Sequence, residues 1–276
     1  MDRALVPGGE LAYEMSLAAG SGVAVVFLHG GLLDHRQWDA EFRSLIDTAP
    51  VIRFDARGHG TSSVPIADFS HHLDLIALLD ALGVERVIGV GLSLGARTLI
   101  DAGLLAPSRF RALLLVSPGY SGLEFEDPFV LEQHAAIGRA AQQRDVAGVV
   151  EAFLRAWVDG PRRTADAVDP AVRSRCREMA HAAVLRGGGG PGLVREVGAA
   201  DRLDELAMPI QVVLGDLDSA DIERAADRIV TRAVNARLAV VRDAGHAVNL
   251  DQPVVFLDVL SAFLAEHVAT IKSDER

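Results

Sequence analysis

Between residues 11 and 122, short aliphatic and β-branched runs alternate with longer segments in which apolar residues recur every three or four positions. That alternation specifies a mainly parallel sheet with helices on both faces. The strand candidates are residues 23–28, 51–55, 87–91 and 112–117, each leading into Gly, Pro or polar turn residues. Phe69, Leu73, Ile76, Leu79 and Leu82 form one apolar helical stripe that would pack on the sheet, with Gly83 as its C-terminal stop. Residues 94–106 read as a second helix, ended by Pro107.

The alternation breaks after Pro118. Residues 121–207 carry helical patterns only, at 131–144, 146–158, 170–186 and a shorter piece near 193–206, interrupted by Pro161, Pro170 and the glycine run 187–190. The α/β pattern then resumes with a strand at 210–214, a helix near 222–230, a strand at 238–241 and a closing amphipathic helix at 253–268. The expected organisation is an α/β core built from residues 1–120 and 208–276, interrupted by a helical insertion at 121–207. Residues 271–276 read as a frayed polar tail.

Composition sharpens this picture mainly by exclusion. A chain of 276 residues, 50% apolar and 24% charged, has the make-up of one large folded domain or one domain with an insertion. Lys+Arg of 27 against Asp+Glu of 38 leaves a net charge of −11, which disfavours nucleic acid and anionic membrane surfaces as partners. All basic residues but Lys272 are arginine, so Schiff-base and P-loop chemistry are excluded. A lone Cys176 rules out an intrachain disulfide and a multi-cysteine metal site. Residues 1–10 lack the apolar core of a signal peptide, and no apolar run approaches a membrane span. A soluble, cytoplasmic protein is expected.

The chemistry concentrates first at Gly91-Leu92-Ser93-Leu94-Gly95, where a strand meets a helix. A serine on so sharp a turn must hold strained backbone angles, and the flanking glycines let strand and helix approach without side-chain clash. Its hydroxyl is then presented at the end of the sheet, and the Leu94 amide lies at a helix N-terminus, where an oxyanion could be held.

With this motif the chain resembles the α/β-hydrolase fold superfamily, with a helical cap as its insertion, over nearly its whole length. Phe27-Leu28-His29-Gly30-Gly31 follows the first strong strand, where the family places its second oxyanion donor; the amide of Gly31, or that of Leu32, is the candidate. Asp55-Ala56-Arg57-Gly58-His59-Gly60-Thr61-Ser62 resembles the family's D-x-R-G-x-G-x-S turn and is read as structural. A serine hydroxyl needs a base, and the base needs an orienting carboxylate. His246, in Asp243-Ala244-Gly245-His246, stands at the family position for the base. Asp218, in Gly215-Asp216-Leu217-Asp218, matches the position of the acid, with Asp216 and Asp221 left open beside it. Of the other histidines, His29 is expected to orient its loop, His35 to be a pocket or surface residue, and His59, His71, His72, His134, His181 and His267 to be surface or packing residues.

The resemblance implies acyl transfer through Ser93, His246 and Asp218, with the amides of Gly31 and Leu94 binding the oxyanion and no metal or organic cofactor. Ser93 sets the chain apart from dehalogenases and epoxide hydrolases, which use aspartate there, and Leu32-Leu33 departs from the Pro-Gly of proline iminopeptidases. The motifs are most similar to small-ester and lactone hydrolases of the 3-oxoadipate enol-lactonase type. Carbon–carbon bond hydrolases of ring-fission products, acyltransferases and slow ligand receptors share the frame and stay open, as does a homodimer. Phe125, Phe129, Phe153 and Trp157 are candidate substrate contacts from the cap, although aromatics at helical spacing are more often packing. Arg162 and Arg163 are candidates to meet a carboxylate-bearing substrate, against the blander reading of a solvated face. Cys176 is read as a small packing residue.

Overall fold

The computed structural model describes residues 1–16, 23–186 and 192–268. The glycine run 187–190 and the tail 271–276 lie outside the described residues. One eight-stranded sheet organises the chain: β1 (Asp2–Val6), β2 (Gly9–Ser16), β3 (Ala24–Leu28), β4 (Val51–Phe54), β5 (Val87–Leu92), β6 (Phe110–Val116), β7 (Ile210–Gly215) and β8 (Ala236–Val241). Its order is β1-β2-β4-β3-β5-β6-β7-β8, parallel throughout except where β2 pairs antiparallel with β1 and β4.

Strands β3 to β7 are buried along nearly their whole length, which is why they read as continuous apolar runs and not as alternation. The β1–β2 hairpin escaped the sequence reading because it is a partly exposed edge of mixed polarity, turned at Gly8 with φ +80°.

Helices α1 (Asp39–Leu45), α2 (His71–Ala81) and α3 (Leu94–Leu105) occupy the first half of the chain. Leu75, Leu78 and Leu79 of α2 join Leu99 and Ile100 of α3 in one core layer. On the opposite face of the sheet, Trp38, Phe256, Leu260 and Phe263 close a second layer. Between β6 and β7 the chain leaves the sheet for α4 (Pro128–Gln142), α5 (Val146–Leu154) and α6 (Pro170–Leu185). These build a third apolar cluster around Phe153, Leu154, Val158, Cys176 and Met179, which also takes in Leu33 from the loop after β3. Asp127 and Asp169 cap α4 and α6, each side chain accepting from a first-turn amide, so α4 begins three residues before the apolar period does.

Two helical expectations need correction. The helix anticipated over 146–158 ends at Leu154 and continues as a π-helical turn, Arg155–Asp159. Near 193–206 there is no helix of any length: Val194 bridges to Phe69, and two single 3₁₀ turns follow at Ala199–Asp201 and Leu203–Glu205. The chain closes through α7 (Ala220–Arg232), the single turn α8 (Val248–Asp251) and α9 (Pro253–Val268). Among the described residues no helix is long and apolar enough to cross a membrane. Burial pushes the Cys176 thiol up to about 12, which leaves it a packing group without thiolate character.

The first turn of α3 touches the sheet so closely that a Cβ on Gly95 would overlap the carbonyl oxygen of Leu28 in β3. Gly95→Ala should therefore force α3 off the sheet and cost about 1–3 kcal/mol. A melting curve checks this: Tm should fall by several degrees, and an unchanged Tm would mean that the contact is not close.

Candidate active site

Ser93 sits between β5 and α3 with φ +52° and ψ −104°, a left-handed backbone for a residue that bears a Cβ. The conformation is held at both ends: its amide donates to the Val116 carbonyl at 3.0 Å, and its carbonyl accepts from Arg97 N–H at 2.9 Å. Gly91 permits the turn, since a Cβ there would meet the Gly95 carbonyl carbon at 2.5 Å. Leu94 is the first residue of α3, and its amide is one of the helix's unpaired N-terminal donors.

The loop after β3 faces this turn. Gly30 N–H donates to Gln37 Oε1 at 2.9 Å, Leu33 N–H returns to the Gly30 carbonyl, and Leu32 takes φ +54°. Gly31, with open space where its side chain would be, lines the same cavity as Ser93. His29 fixes the loop from beneath: its Nε2 accepts the Ala56 amide at 2.9 Å, so Nδ1 carries the proton and donates to the Gly30 carbonyl at 2.7 Å. Gln37 escaped the sequence reading. It is a buried polar residue held by Asn249, 212 positions away, and no local pattern signals such a pair.

His246 follows β8, and Asp218 follows β7. Asp218 Oδ2 accepts from His246 Nδ1 at 2.9 Å, and both side chains are buried. The second oxygen, Oδ1, accepts the Ser219 amide at 2.7 Å, which fixes the carboxylate's rotation. With its proton on Nδ1, the imidazole keeps Nε2 for the cavity that it lines together with Ser93. Asp216 and Asp221 do not reach His246. Asp221 instead accepts the amides of Glu126 and Asp127 at the entry to α4, together with Arg224, and so ties the helical insertion to α7.

Trp157, on the π-helical turn, lays its ring over His246 with centroids 4.6 Å apart. Phe125 and His134 continue the cluster at 5.8 Å from Trp157. His134 is thus a packing group, as expected. The cavity beside His246 is about 390 Å³ and is lined by Gly30, Leu33, Leu92, Phe153 and Val158 besides the residues above. A larger cavity of about 650 Å³, lined by Phe125 and Tyr120 among others, meets it at Gly31, Ser93 and Trp157. Phe153, Trp157 and Phe125 therefore stand where substrate contacts were expected, while Phe129 does not. Its ring lies under the Arg155 guanidinium of the π-helical turn at 4.4 Å and lines neither cavity.

Arg162 and Arg163 are both committed elsewhere. Arg162 donates to the Asp216 carbonyl at 2.6 Å and pairs with Glu223. Arg163 donates to the Val158 and Asp159 carbonyls and pairs with Asp251 at 2.6 Å. Asp251 in turn accepts the Gly245 amide at 2.8 Å, so one buried ion pair joins the turn bearing Trp157 to the loop bearing His246.

The Asp55–Arg57 turn is structural. Arg57 grips Asp74 through Nε and Nη2 at 2.8 and 2.6 Å and donates to the carbonyls of Pro7 and Gly8. Burial alone would raise the Asp55 carboxyl, but the hydrogen bond from His35 and the nearby histidine charges hold it down at about 2. Beneath the Gly31 loop, His29, His59 and His71 form a buried row with ring centroids 5.1 and 6.3 Å apart.

The family described as the alpha/beta hydrolase family matches residues 25–259. The 3-oxoadipate enol-lactonase 1 of Acinetobacter baylyi is 22% identical over 87% of this chain and 88% of its own length. An esterase of Mycobacterium tuberculosis is 27% identical over 89% and 84%. Among solved structures, a hydrolase from Pseudomonas aeruginosa superposes with a TM-score of 0.78 at 28% identity, covering 95% of this chain and 96% of that one. Est816, described as an N-acyl homoserine lactone degrading enzyme, gives 0.76 at 25% identity over 95% and 100%.

The row of histidines makes a prediction about stability. Burial lowers all three, His59 to about 4 from an ordinary 6.5. The unfolded chain therefore binds more protons below pH 6.5, and stability is lost as pH falls from there toward 4. His59 alone should remove about 2 kcal/mol between pH 7 and pH 5. Urea midpoints at the two values test it, and a His59→Gln chain should show a shallower pH slope; equal slopes would refute it.

Proposed function

Because the chain belongs to the alpha/beta hydrolase family, we propose that it is a serine hydrolase that cleaves a small carboxylic ester or lactone through an acyl-enzyme. The observation that carries this reading is the buried Asp218–His246 hydrogen bond, which leaves the imidazole lining one cavity with Ser93 between the two loops that offer free amides. The names of its relatives, an enol-lactonase and an esterase, agree with ester and lactone substrates.

In this reading His246 Nε2 takes the Ser93 Oγ proton as Oγ attacks the substrate carbonyl. Asp218 holds the Nδ1 tautomer and stabilises the imidazolium that forms. The amides of Leu94 and Gly31 receive the developing oxyanion, each worth about 3 kcal/mol of barrier. The C–O bond then breaks, and the departing alkoxide oxygen takes the proton from His246. Water attacks the acyl-serine with the same imidazole as base, which restores Ser93–OH and releases the acid.

Helices α4 to α6 act as the cap. The insertion, residues 121–207, brings Trp157 and Phe153 over the site and supplies apolar walls that shed water around the reacting carbonyl. Trp157 against His246 also restricts the imidazole to the plane that its bond to Asp218 selects.

Wild-type protein should hydrolyse a short-chain p-nitrophenyl ester and react covalently with a fluorophosphonate. Ser93→Ala should lose both, and Asp218→Asn should lower kcat by about four orders of magnitude with little change in KM. Turnover retained in Ser93→Ala, or a wild-type serine that the fluorophosphonate leaves unlabelled, would overturn the reading.

A further inference from the structure

The two cavities that meet at Ser93 differ in character. The one lined by His246 is walled by Leu33, Leu92, Phe153, Val158 and Ala247, and no Arg, Lys, Asp or Glu lines it. The other is lined by Leu94 but not by His246, and it contains Arg97 and Glu196. Among the described residues lining either compartment, Arg97 is the only arginine or lysine.

Arg97 closes the first turn of α3 on the Ser93 carbonyl, four residues on, and both residues line this second cavity. Its side chain is 35% exposed and pairs with Glu196 through Nη1 at 2.9 Å. Among the described residues none accepts from its Nη2 or Nε, the edge that a carboxylate would engage with two parallel bonds. Glu196 lies between the bridge at Val194 and Gly198, which takes φ +73°, in a segment with no regular secondary structure. It is placed to yield the guanidinium to an incoming anion.

We propose that Arg97 makes the site selective for substrates whose acyl part ends in a carboxylate, such as a monoester of a short dicarboxylic acid or the lactone equivalent. The inference rests on the hydrolase reading above. In that mechanism the leaving oxygen must receive its proton from His246, so the alcohol portion departs along the apolar compartment that His246 lines. The acyl chain then extends past the Leu94 amide into the other compartment, toward Arg97. An unscreened charge is admitted there only because its countercharge is already in place. Arg162 and Arg163 cannot serve, since both are bound to Glu223, Asp251 and main-chain carbonyls.

The test compares monoethyl glutarate with the ethyl ester of its uncharged isostere, in which an isopropyl group stands for the terminal carboxylate, following acid release by titration. Wild type should favour the monoester by about tenfold in kcat/KM, the range of one charge-assisted contact. Arg97→Met should bring the ratio of the two substrates to about one, Arg97→Lys should restore part of it, and Glu196→Gln should raise kcat/KM for the monoester. Equal rates in wild type, or a preference that survives in Arg97→Met, would overturn the proposal. Glutarate itself gives a readout without turnover: it should raise the Tm of Ser93→Ala protein and fail to do so when Arg97→Met is added. If both esters resist hydrolysis while glutarate still binds through Arg97, the hydrolase reading fails and the carboxylate site stands. If both esters are cleaved alike and glutarate leaves Tm unmoved, the reverse holds.

Discussion

The arrangement depends on one close approach, the seating of the first turn of α3 against β3 and β5. Gly91 and Gly95 leave no side chain between strand and helix, and the Ser93 backbone is driven to φ +52° as a result. A left-handed non-glycine residue is unfavourable by about 1–3 kcal/mol, and it persists only where the surroundings leave no alternative. Here the surroundings are β6 on one side, through Val116, and the helix itself on the other, through Arg97 N–H. The same seating that strains Ser93 sets the Leu94 amide at the helix N-terminus and places Arg97 one turn on, so the serine, that amide and the cavity cation are set by a single packing decision.

The other half of the site is assembled from parts distant in sequence, and here charge does what close packing does at Ser93. Asp221 holds the start of α4 to α7, and Arg163 with Asp251 holds the Trp157 turn to the His246 loop. Removing one partner of such a buried pair leaves an uncompensated charge, which is why these links resist opening although the pairs add little net stability. The insertion is thereby fixed to α7 at one place and to the His246 loop at another, with Trp157 packed on the imidazole.

Much of this is legible in the sequence for a physical reason: a strand-to-helix turn that must bear a hydroxyl demands Gly-x-Ser-x-Gly, and a strand buried on both faces must be apolar throughout. Those demands are local, so residues 87–95 announce them. What stayed unreadable is non-local. Asp218, Asp216 and Asp221 share one acidic stretch, and only the fold decides which of them meets His246. Phe129 shares its chemistry with Phe125, yet it pairs with Arg155 of the π-helical turn and lines neither cavity. Gln37 owes its position to Asn249, far along the chain, and the β1–β2 hairpin lies at a sheet edge where solvent relaxes the demand for apolar residues.

The distribution of arginine bears on the same point. A chain with 27 basic residues, all but Lys272 of them arginine, carries side chains suited to two-pronged pairing; Arg57 grips Asp74 and Arg173 grips Asp159 that way, while Arg163 spends its donors on Asp251 and two carbonyls. A guanidinium so engaged is structural, since its donors are spent and its desolvation is already compensated. Against that background, one that lines a cavity, sits a turn from Ser93 and leaves an edge unbound differs in kind. Its partner Glu196 stands on an irregular segment, where exchange for another carboxylate needs only a side-chain rotation, whereas Asp74 is buried and gripped by Arg57 through two bonds, and Asp251 is buried and also held by the Gly245 amide. Charge that fixes the fold and charge open to a ligand are thus separated by burial and by what else binds the partner, and not by residue type.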